Sequence, residues 1–328
     1  MISIVMPVKN AAPFLEECID SIINQSYIDW ELIAVNDHSS DESFDLISDY
    51  AKEDGRIKVF NNKGSGIIEA LRMAFSKSQG QYISRMDADD IMPTNKLEIL
   101  LMHLTSQKAP SVCIGKVEYF SEHDLGEGYQ KYAQWLNDLT IQNRNFLEIY
   151  KECVVPSPNW LMRKIDFIKI GAFDSEFYPE DYDLCFRMRA GQLNICGVNQ
   201  VTHLWRDHKS RASRNDENYK DNQFLSLKLH YFLKLDYQRS KQLVLWGAGK
   251  KGKKLAKKLI KQDIPFKWIS NNVKKQGIKI YDQLLFAVTE IKQDEEVQVI
   301  IAVATRDSKN DILRTLDSLN LNDYNFFC

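Results

Sequence analysis

The sequence contains no apolar run long enough to span a membrane. Its longest such run covers residues 297–304, whereas a membrane-spanning helix needs about 20 apolar residues. Residues 1–7 (MISIVMP) lack the basic start of a signal peptide and are typical of a β-strand. We therefore expect a cytoplasmic protein without an integral membrane segment, and we leave open a peripheral contact with the inner face of a membrane.

Cysteine pairs of the kind that hold zinc or form disulfide frameworks are also missing. No C-x-x-C pair and no regular spacing occurs among the six cysteines, which are Cys18, Cys113, Cys153, Cys185, Cys196 and Cys328. The formal net charge is only −2, which argues against nucleic-acid binding driven by the charge of the whole chain. A local patch of basic residues is still compatible with this small net charge.

The composition is that of an ordinary globular protein, with 44% hydrophobic and 27% charged residues. At 328 residues the chain is too long for one ordinary core, so we expect two domains. A polar helical stretch at residues 216–235 precedes a new apolar run at 242–246, which predicts the first strand of the second domain. The predicted domains are residues 1–237 and residues 238–328.

Strand and helix patterns alternate in the first third of the chain. Four short apolar runs predict buried strands, at residues 3–6, 31–35, 57–60 and 81–84. Amphipathic helical patterns follow the first three runs. Repeated strand–helix units predict an α/β fold with a mainly parallel sheet and helices on both faces. Ligands bind such sheets beyond the carboxyl ends of the strands, so polar clusters after the strands are candidate sites.

Three acidic clusters stand at such places, at residues 36–41 (NDHSSD), 87–90 (DADD) and 180–183 (EDYD). In the D-x-D spacing of Asp87 and Asp89, both carboxylates can serve one divalent cation, and such hard oxygen ligands suit Mg²⁺ or Mn²⁺. A cation of this kind allows a diphosphate to approach carboxylates. Aspartates are also common in turns and helix caps, so a purely structural interpretation of each cluster stays open.

The order of four motifs resembles that of the family 2 glycosyltransferases. The motifs are residues 7–10 (PVKN), 35–41 (VNDHSSD), 86–90 (MDADD) and 180–187 (EDYDLCFR). The resemblance covers about residues 1–212 and implies a GT-A fold, a nucleotide-sugar donor and inversion at the anomeric carbon. It also implies a divalent cation, Mn²⁺ or Mg²⁺, and UDP as the expected nucleotide.

Carried over by motif, the resemblance implies site residues for the donor, the metal and the acceptor. The implied donor-binding residues are Pro7, Val8, Asn10, Asp37, Gly64, Asp87, Ala88 and Arg206. Asp89 and His208 would be the metal ligands, and His208 lies in residues 204–210 (LWRDHKS), which resemble the family's Y-R-x-H-x-x-S segment. In that segment Trp205 replaces the usual tyrosine, and Lys9 likewise stands where the family often has tyrosine.

The acidic pair Glu180 and Asp181 would face the acceptor in this resemblance, together with Trp160. Asp181 would be the base that takes the acceptor proton as the oxygen attacks, which is the role an inverting transfer requires. In the structural alternative, Glu180 and Asp181 cap the helix that follows Pro179.

We interpret the second predicted domain as a small Rossmann-like appendage with a structural or regulatory role, and two alternative functions stay open. Residues 246–252 (WGAGKKG) follow a predicted strand and open a helix, as in a dinucleotide-binding turn, so an NAD(P)-binding oxidoreductase using the Gly247 turn is one alternative. The next predicted strand, 266–269, is followed by residues 270–272 (SNN), which include no acidic residue to bind the ribose hydroxyl. This absence disfavours the oxidoreductase alternative. The lysine-rich residues 250–261 predict an amphipathic helix with a solvated face, and binding to RNA or an anionic membrane is the other alternative.

The combination of the two halves resembles queuosine-tRNA galactosyltransferase-like proteins. The residues that carry this resemblance are 135–140 (WLNDLT), Trp160 and 245–252 (LWGAGKKG). It implies a tRNA queuosine nucleoside as one acceptor. We rank a cell-envelope glycan or glycolipid first and tRNA second, since acceptor choice depends on variable loops that the motifs do not describe.

Overall fold

The computed structural model describes residues 1–121, 125–209, 211, 224–291, 296–303 and 306–328, with the backbone alone at 306–308. Two compact units are formed, one by Met1–Leu147 with Cys153–Asp216 and the other by Glu148–Glu152 with Glu217–Cys328. In the described ranges, no helix is both long and apolar enough to cross a membrane.

The first unit contains a seven-stranded sheet. Its strands are β1 (Ile2–Val8), β2 (Trp30–Asn36), β3 (Ile57–Asn61), β4 (Tyr82–Arg85), β5 (Ser111–Phe120), β6 (Trp160–Arg163) and β7 (Asn194–Arg206). Its helices are α1 (Ala12–Ile23), α2 (Ser43–Glu53), α3 (Ile67–Lys77), α4 (Lys96–Thr105), α5 (Glu127–Ile141), α6 (Lys164–Lys169) and α7 (Glu180–Ala190). The strand order is β3-β2-β1-β4-β6-β5-β7, and β6 alone is antiparallel to its neighbours. The predicted mainly parallel α/β sheet is therefore confirmed.

Burial on both faces explains the continuous apolar strands. Almost every residue of β1 and β2 is buried, as expected for central parallel strands covered by helices on either side. Helix α1 buries Leu15, Cys18, Ile19 and Ile22, whose spacing places them on one helix face. Because β1, β2 and β4 are parallel, the motifs that follow them emerge at the same edge of the sheet.

The second unit contains a smaller, mainly parallel sheet. Its strands are β8 (Gln242–Trp246), β9 (Lys267–Ile269), β10 (Lys279–Ile280), β11 (Gln283–Phe286), β12 (Val297–Ile301) and β13 (Tyr324–Phe326). Its helices are α8 (Leu225–Leu235), α9 (Lys250–Lys261) and α10 (Arg306–Ser318). The strand order is β10-β11-β9-β8-β12-β13, with an antiparallel pair only between β10 and β11. Short 3-10 helices lie at Asn145–Glu148, Val273–Lys275 and Val288–Glu290.

Helix α8 belongs to the second compact unit, whereas the predicted boundary near residue 238 would assign it to the first. The Lys228 ammonium donates a hydrogen bond to the Lys151 carbonyl oxygen at 2.8 Å, and the Tyr150 ring stacks on Phe327 with 5.1 Å between centroids. These contacts explain why residues 148–152 group with the later part of the chain. Residues 216–223 of the predicted helical stretch lie outside the described residues.

Backbone conformation and close packing account for Gly247 and Gly252, two of the three glycines after β8. Gly247 has a φ of +121°, in the region that favours glycine. A Cβ atom on Gly252 would lie 2.0 Å from the Gly247 carbonyl oxygen, so only glycine lets α9 approach this turn so closely. Gly247 and Gly252 of the G-x-G-x-x-G pattern therefore have a structural explanation that needs no bound cofactor, whereas a Cβ atom on Gly249 would meet no described atom within 4 Å.

Candidate functional site

The carboxylate of Asp37, just after β2, is held by three donors. It accepts hydrogen bonds from the Asn62 side-chain amide at 2.7 Å and the Gly66 backbone N–H at 2.9 Å, and the Lys9 ammonium lies 3.3 Å away. Burial by itself would raise the pKa of Asp37, but these donors outweigh burial and hold the pKa below its usual value. Asp37 is therefore an ionised acceptor in a fixed position at the carboxyl edge of the sheet.

Neighbouring loops are tied together around this carboxylate. The side-chain oxygen of Asn10 accepts the backbone N–H of Ser40 at 2.8 Å, and the Gly64 N–H donates to the Asn62 side-chain oxygen at 3.1 Å. Gly66 has a φ of +92°, which favours glycine and allows its N–H to reach the carboxylate. Asn10 and Gly64, both predicted donor-binding residues, thus lie in the loops that surround Asp37.

Pro7 and Val8 form the end of β1 beside the same loops. Pro7 is half-buried, whereas the Val8 side chain is completely buried in the core. The Val8 carbonyl oxygen accepts the backbone N–H of Asp37 at 2.7 Å. Any contact between Val8 and a ligand would therefore be made by the backbone rather than by the side chain.

Asp89 and His208 meet although they are 119 positions apart in the sequence. The Asp89 Oδ2 atom lies 2.9 Å from His208 Nε2, and the His208 ring packs against Phe14 with 4.3 Å between centroids. Burial would raise the pKa of Asp89, but the His208 hydrogen bond and the charge of Arg211 hold that pKa below its usual value. The two predicted metal ligands are thus in direct contact, while Ser210 of the same predicted motif lies outside the described residues.

Arg206, at the end of β7, fixes the loop that carries Asp89. Its Nε donates to the Asp89 carbonyl oxygen at 2.8 Å, and its Nη2 contacts the Glu17 carboxylate. The guanidinium carbon lies 5.2 Å from the Phe14 ring centroid and 4.5 Å from that of Phe120, within cation–π range. Arg206 therefore places a positive charge beside the D-x-D loop, where a diphosphate would approach.

The pair formed by Asp89 and His208 fits a divalent cation that shares its ligands with a substrate. In the described part of the chain, no three or more His, Cys, Asp and Glu side chains group to hold a metal by themselves. Mg²⁺ sites at phosphates commonly use one or two carboxylates together with phosphate oxygens and water, so few protein ligands suffice. The donor set is consistent with a cation held jointly with a diphosphate.

Arg85, the last residue of β4, connects two parts of the site. Its Nε donates to Asp87 Oδ1 at 2.8 Å, and its Nη1 donates to Glu180 Oε1 at 2.8 Å. Arg85 is only 5% exposed, and burial alone would lower its pKa. The carboxylates of Asp87, Glu180 and Asp181 outweigh burial and keep the pKa of Arg85 above its usual value. One guanidinium therefore joins the predicted donor side to the predicted acceptor side.

Asp181 lies in the first turn of α7 and borders a small pocket. Arg85, Ser157, Trp160 and Glu180 line the same pocket. Burial and the neighbouring charge of Glu180 raise the pKa of Asp181 to about 7. A carboxylate with a pKa near neutral is suited to accept a proton as a general base. The pocket brings together the three residues predicted for the catalytic and acceptor side.

A buried polar chain below the D-x-D loop is not apparent in the sequence. Asp90 Oδ2 lies 2.9 Å from His203 Nε2, and the Lys96 ammonium lies 3.3 Å from His203 Nδ1 and donates to the Pro158 carbonyl oxygen at 2.7 Å. With Nδ1 accepting from Lys96, Nε2 carries the ring hydrogen and donates to Asp90. Burial lowers the pKa of Lys96 to about 7 and that of His203 well below its usual value.

The family is decided by a match over more than half of the chain. Residues 3–171 match the family described as Glycosyl transferase family 2. This chain belongs to glycosyl transferase family 2. The matched range of this family 2 member includes Asp37, Asp87 and Asp89, and it ends before Asp181 and His208.

Known proteins similar to this family 2 member support the same assignment. The uncharacterized glycosyltransferase EpsJ of Bacillus subtilis is 41% identical over 90 residues, which cover 27% of this chain and 26% of EpsJ. The chain thus spans about a quarter of the length of this curated relative. The predicted resemblance to the family 2 glycosyltransferases is confirmed, whereas the comparisons do not confirm the resemblance to queuosine-tRNA galactosyltransferase-like proteins.

Solved structures show the fold. TarS 1-349 of S. aureus in complex with UDP-GlcNAc is 13% identical with a TM-score of 0.54, covering 72% of this chain and 68% of that chain. The mannosyltransferase PcManGT of Pyrobaculum calidifontis, in complex with GDP-Man and Mn²⁺, is 14% identical with a TM-score of 0.52, covering 71% and 63%. The family 2 member has the predicted GT-A fold, with a second, smaller Rossmann-like α/β unit.

Proposed function

We propose that this chain is an inverting glycosyltransferase that moves a sugar from a nucleotide-diphosphate donor, with UDP as the nucleotide, to a hydroxyl acceptor. The observation that carries the proposal is the Arg85 bridge, which joins Asp87 of the D-x-D motif to Glu180 beside Asp181. Asp87 and the acidic pair that contains Asp181 are thereby held beside the end of β4, and a direct transfer between two bound substrates requires such proximity.

On the donor side, the fixed carboxylate of Asp37 would accept a hydrogen bond from the nucleotide base, and Asp87 would bind the ribose. Asp89 and His208 would hold the divalent cation, which when bound balances the charge of the diphosphate as it departs. Arg206 would add a positive charge next to the same phosphates. The complexes of TarS with UDP-GlcNAc and of PcManGT with GDP-Man and Mn²⁺ support a nucleotide-sugar donor and a cation.

On the acceptor side, Asp181 would take the proton of the acceptor hydroxyl. The acceptor oxygen then forms a bond to the anomeric carbon, while the bond from that carbon to the phosphate oxygen breaks and its electron pair leaves with the diphosphate. The attack occurs opposite to the leaving group, so the configuration inverts and no covalent intermediate with the protein is needed. Glu180 and Trp160 would border the acceptor in the same pocket.

The nucleotide specificity can be tested by thermal unfolding with UDP, GDP, UDP-sugars and NAD, each with and without Mn²⁺. We expect a UDP-sugar with Mn²⁺ to stabilise the protein by about 2.7 kcal/mol at about 100 times its dissociation constant. Asp89→Ala should lose this stabilisation, whereas Asp138→Ala, at an exposed position of α5, should keep it. Stabilisation by NAD alone, unaffected by Mn²⁺ and by Asp89→Ala, would contradict the proposal. It would favour the alternative in which NAD binds at the Gly247 turn.

The pH dependence of turnover follows from the pKa of Asp181. A base works only when ionised, and this carboxyl has its pKa raised to about 7, so kcat/KM should rise with pH and level off above about 7. An ordinary aspartate, with a pKa of about 4, would already be largely ionised at about pH 5. Initial rates measured from about pH 5 to about pH 9, roughly two pH units on either side of that pKa, would show the rise of kcat/KM. A profile that is flat down to pH 5 would argue against Asp181 as the base.

For the acceptor, we propose a hydroxyl of a cell-envelope glycan or glycolipid, which rests on the resemblance to family 2. Once the donor is identified, a labelled sugar can be offered together with glycan, glycolipid and tRNA fractions. Label in the glycan or glycolipid fraction would support the proposal. Label in tRNA would contradict it and favour the queuosine alternative.

A further inference from the structure

The second unit carries a dense and local positive charge. Residues 250–279 contain eleven lysines and one aspartate, although the whole chain has a net charge of −2. Lys257, Lys261 and Lys274 are exposed, and none of the three forms a salt bridge within the ranges that the structure describes. Because no carboxylate among the described residues pairs with these three lysines, they create a field that attracts an anionic partner.

Exposed apolar side chains accompany this charge. Val273 is 76% exposed and Ile278 is 49% exposed, and both lie between α9 and the β10–β11 hairpin in the chain. Tyr281 and Leu284 of the same hairpin region are also exposed, by 41% and 37%. Apolar side chains that stay in contact with water at adjacent positions commonly mark an interaction site.

Direct contacts place these apolar residues beside the basic helix. The Lys257 ammonium lies 4.7 Å from the Tyr281 ring centroid. The Lys275 ammonium donates a hydrogen bond to the Ala248 carbonyl oxygen at 2.9 Å, which ties the Val273–Lys275 turn to the start of α9. The lysines of α9 and of the Val273–Lys275 turn therefore lie in one region of the unit's surface with these apolar side chains.

The helix itself is not free to insert into a membrane. Its apolar residues Leu255, Ala256 and Leu259 are buried within the second unit, so α9 presents its lysines outward and keeps its apolar face in the core. The side chains available to insert into the apolar part of a bilayer are therefore those of Val273 and Ile278 rather than those of the helix. Lysines in contact with headgroups and a few inserted aliphatic side chains are the usual combination for peripheral membrane binding.

We propose that this surface, formed by Lys257, Lys261 and Lys274 with Val273 and Ile278, binds an anionic lipid bilayer. RNA is the other polyanion that lysines attract, but RNA-binding surfaces stack bases on aromatic side chains. The most exposed apolar residues here are a valine and an isoleucine, which suit acyl chains better than bases. The inference goes beyond the proposed transferase activity and does not depend on it.

The test is sedimentation of the full chain with vesicles of phosphatidylcholine alone and of an equal mixture with phosphatidylglycerol. We expect binding to the mixed vesicles only. Because one lysine near an anionic surface contributes about five-fold to partitioning, Lys257→Gln, Lys261→Gln and Lys274→Gln together should lower it by roughly 100-fold. A control with three exposed lysines of the first unit changed to Gln, at Lys52, Lys108 and Lys131, should bind like the unchanged protein.

A second variant separates lipid insertion from simple charge attraction. Val273→Ser with Ile278→Ser keeps every lysine, so it should weaken binding to mixed vesicles even at high salt, where charge is screened. Absence of binding to mixed vesicles at low salt, or an equal loss in the control variant, would overturn the proposal. It would also be overturned if this serine variant bound vesicles normally and RNA displaced the protein from them, which would assign the surface to RNA.

Discussion

Asp181→Asn is expected to lower kcat by about 10²–10⁴-fold, the usual contribution of general-base assistance, while binding of the nucleotide-sugar stays nearly unchanged. Asparagine has almost the same shape as aspartate but cannot take up the acceptor proton. The donor-side contacts of Asp37 and Asp89 do not involve residue 181, so stabilisation by the donor should persist. Steady-state rates and thermal unfolding with the donor, measured on the same preparation, separate the two effects.

The matched control for this variant is Asp174→Asn, the same chemical change at an exposed position of the first unit. Its kcat should equal that of the unchanged protein. If Asp181→Asn retains full activity, the base must be another group, and Glu180 would be the next candidate because it borders the same pocket. If donor binding is lost together with activity, Asp181 acts on the donor side rather than on the acceptor.

Arg85→Gln is expected to lower the free energy of unfolding of the first unit by about 3–5 kcal/mol, the cost of removing one partner from a buried ion pair. Without the guanidinium, the carboxylates of Asp87 and Glu180 would face each other without a counter-charge. Arg85→Lys keeps the charge but cannot hold both carboxylates in a fork. Its free energy of unfolding should therefore lie between those of Arg85→Gln and of the unchanged protein. Urea unfolding followed by fluorescence would measure these differences.

Arg144→Gln is the control, because Arg144 is exposed in the same unit and an exposed substitution usually changes stability by less than about 0.5 kcal/mol. Comparable stability of Arg85→Gln and the unchanged protein would mean that the two carboxylates do not depend on the bridge. In that case Arg85 would not be the residue that holds the donor and acceptor sides together.

The sheet and the motif residues could be predicted because their signals are local. Continuous apolar runs mark strands buried on both faces, and β8 and α9 occupy the predicted residues 242–246 and 250–261. Asp37, Asp87 and Asp89 stand directly after such strands, where parallel topology brings them to one edge. The roles of the individual site residues stay predictions that the experiments above address.

The partners of these residues could not be predicted because they come from distant parts of the chain. Arg85 meets Glu180 across 95 positions, and His203 meets Asp90 across 113. The only local signal for Arg85 was a charged residue at the end of an otherwise uncharged strand. Lys96 opens a helix like any surface lysine, and only the tertiary structure shows that it is buried.

The Arg85 bridge also affects how this site can diverge during evolution. Because one guanidinium contacts both Asp87 and Glu180, a substitution at either carboxylate changes the electrostatic environment of the other. Free-energy effects of neighbours in one ion-pair network are not additive, so the outcome of a donor-side mutation depends on the acceptor-side residue already present. New acceptor specificities should therefore be reached more easily through loops that do not touch Arg85, whereas changes at Glu180 are expected to be epistatic with those at Asp87.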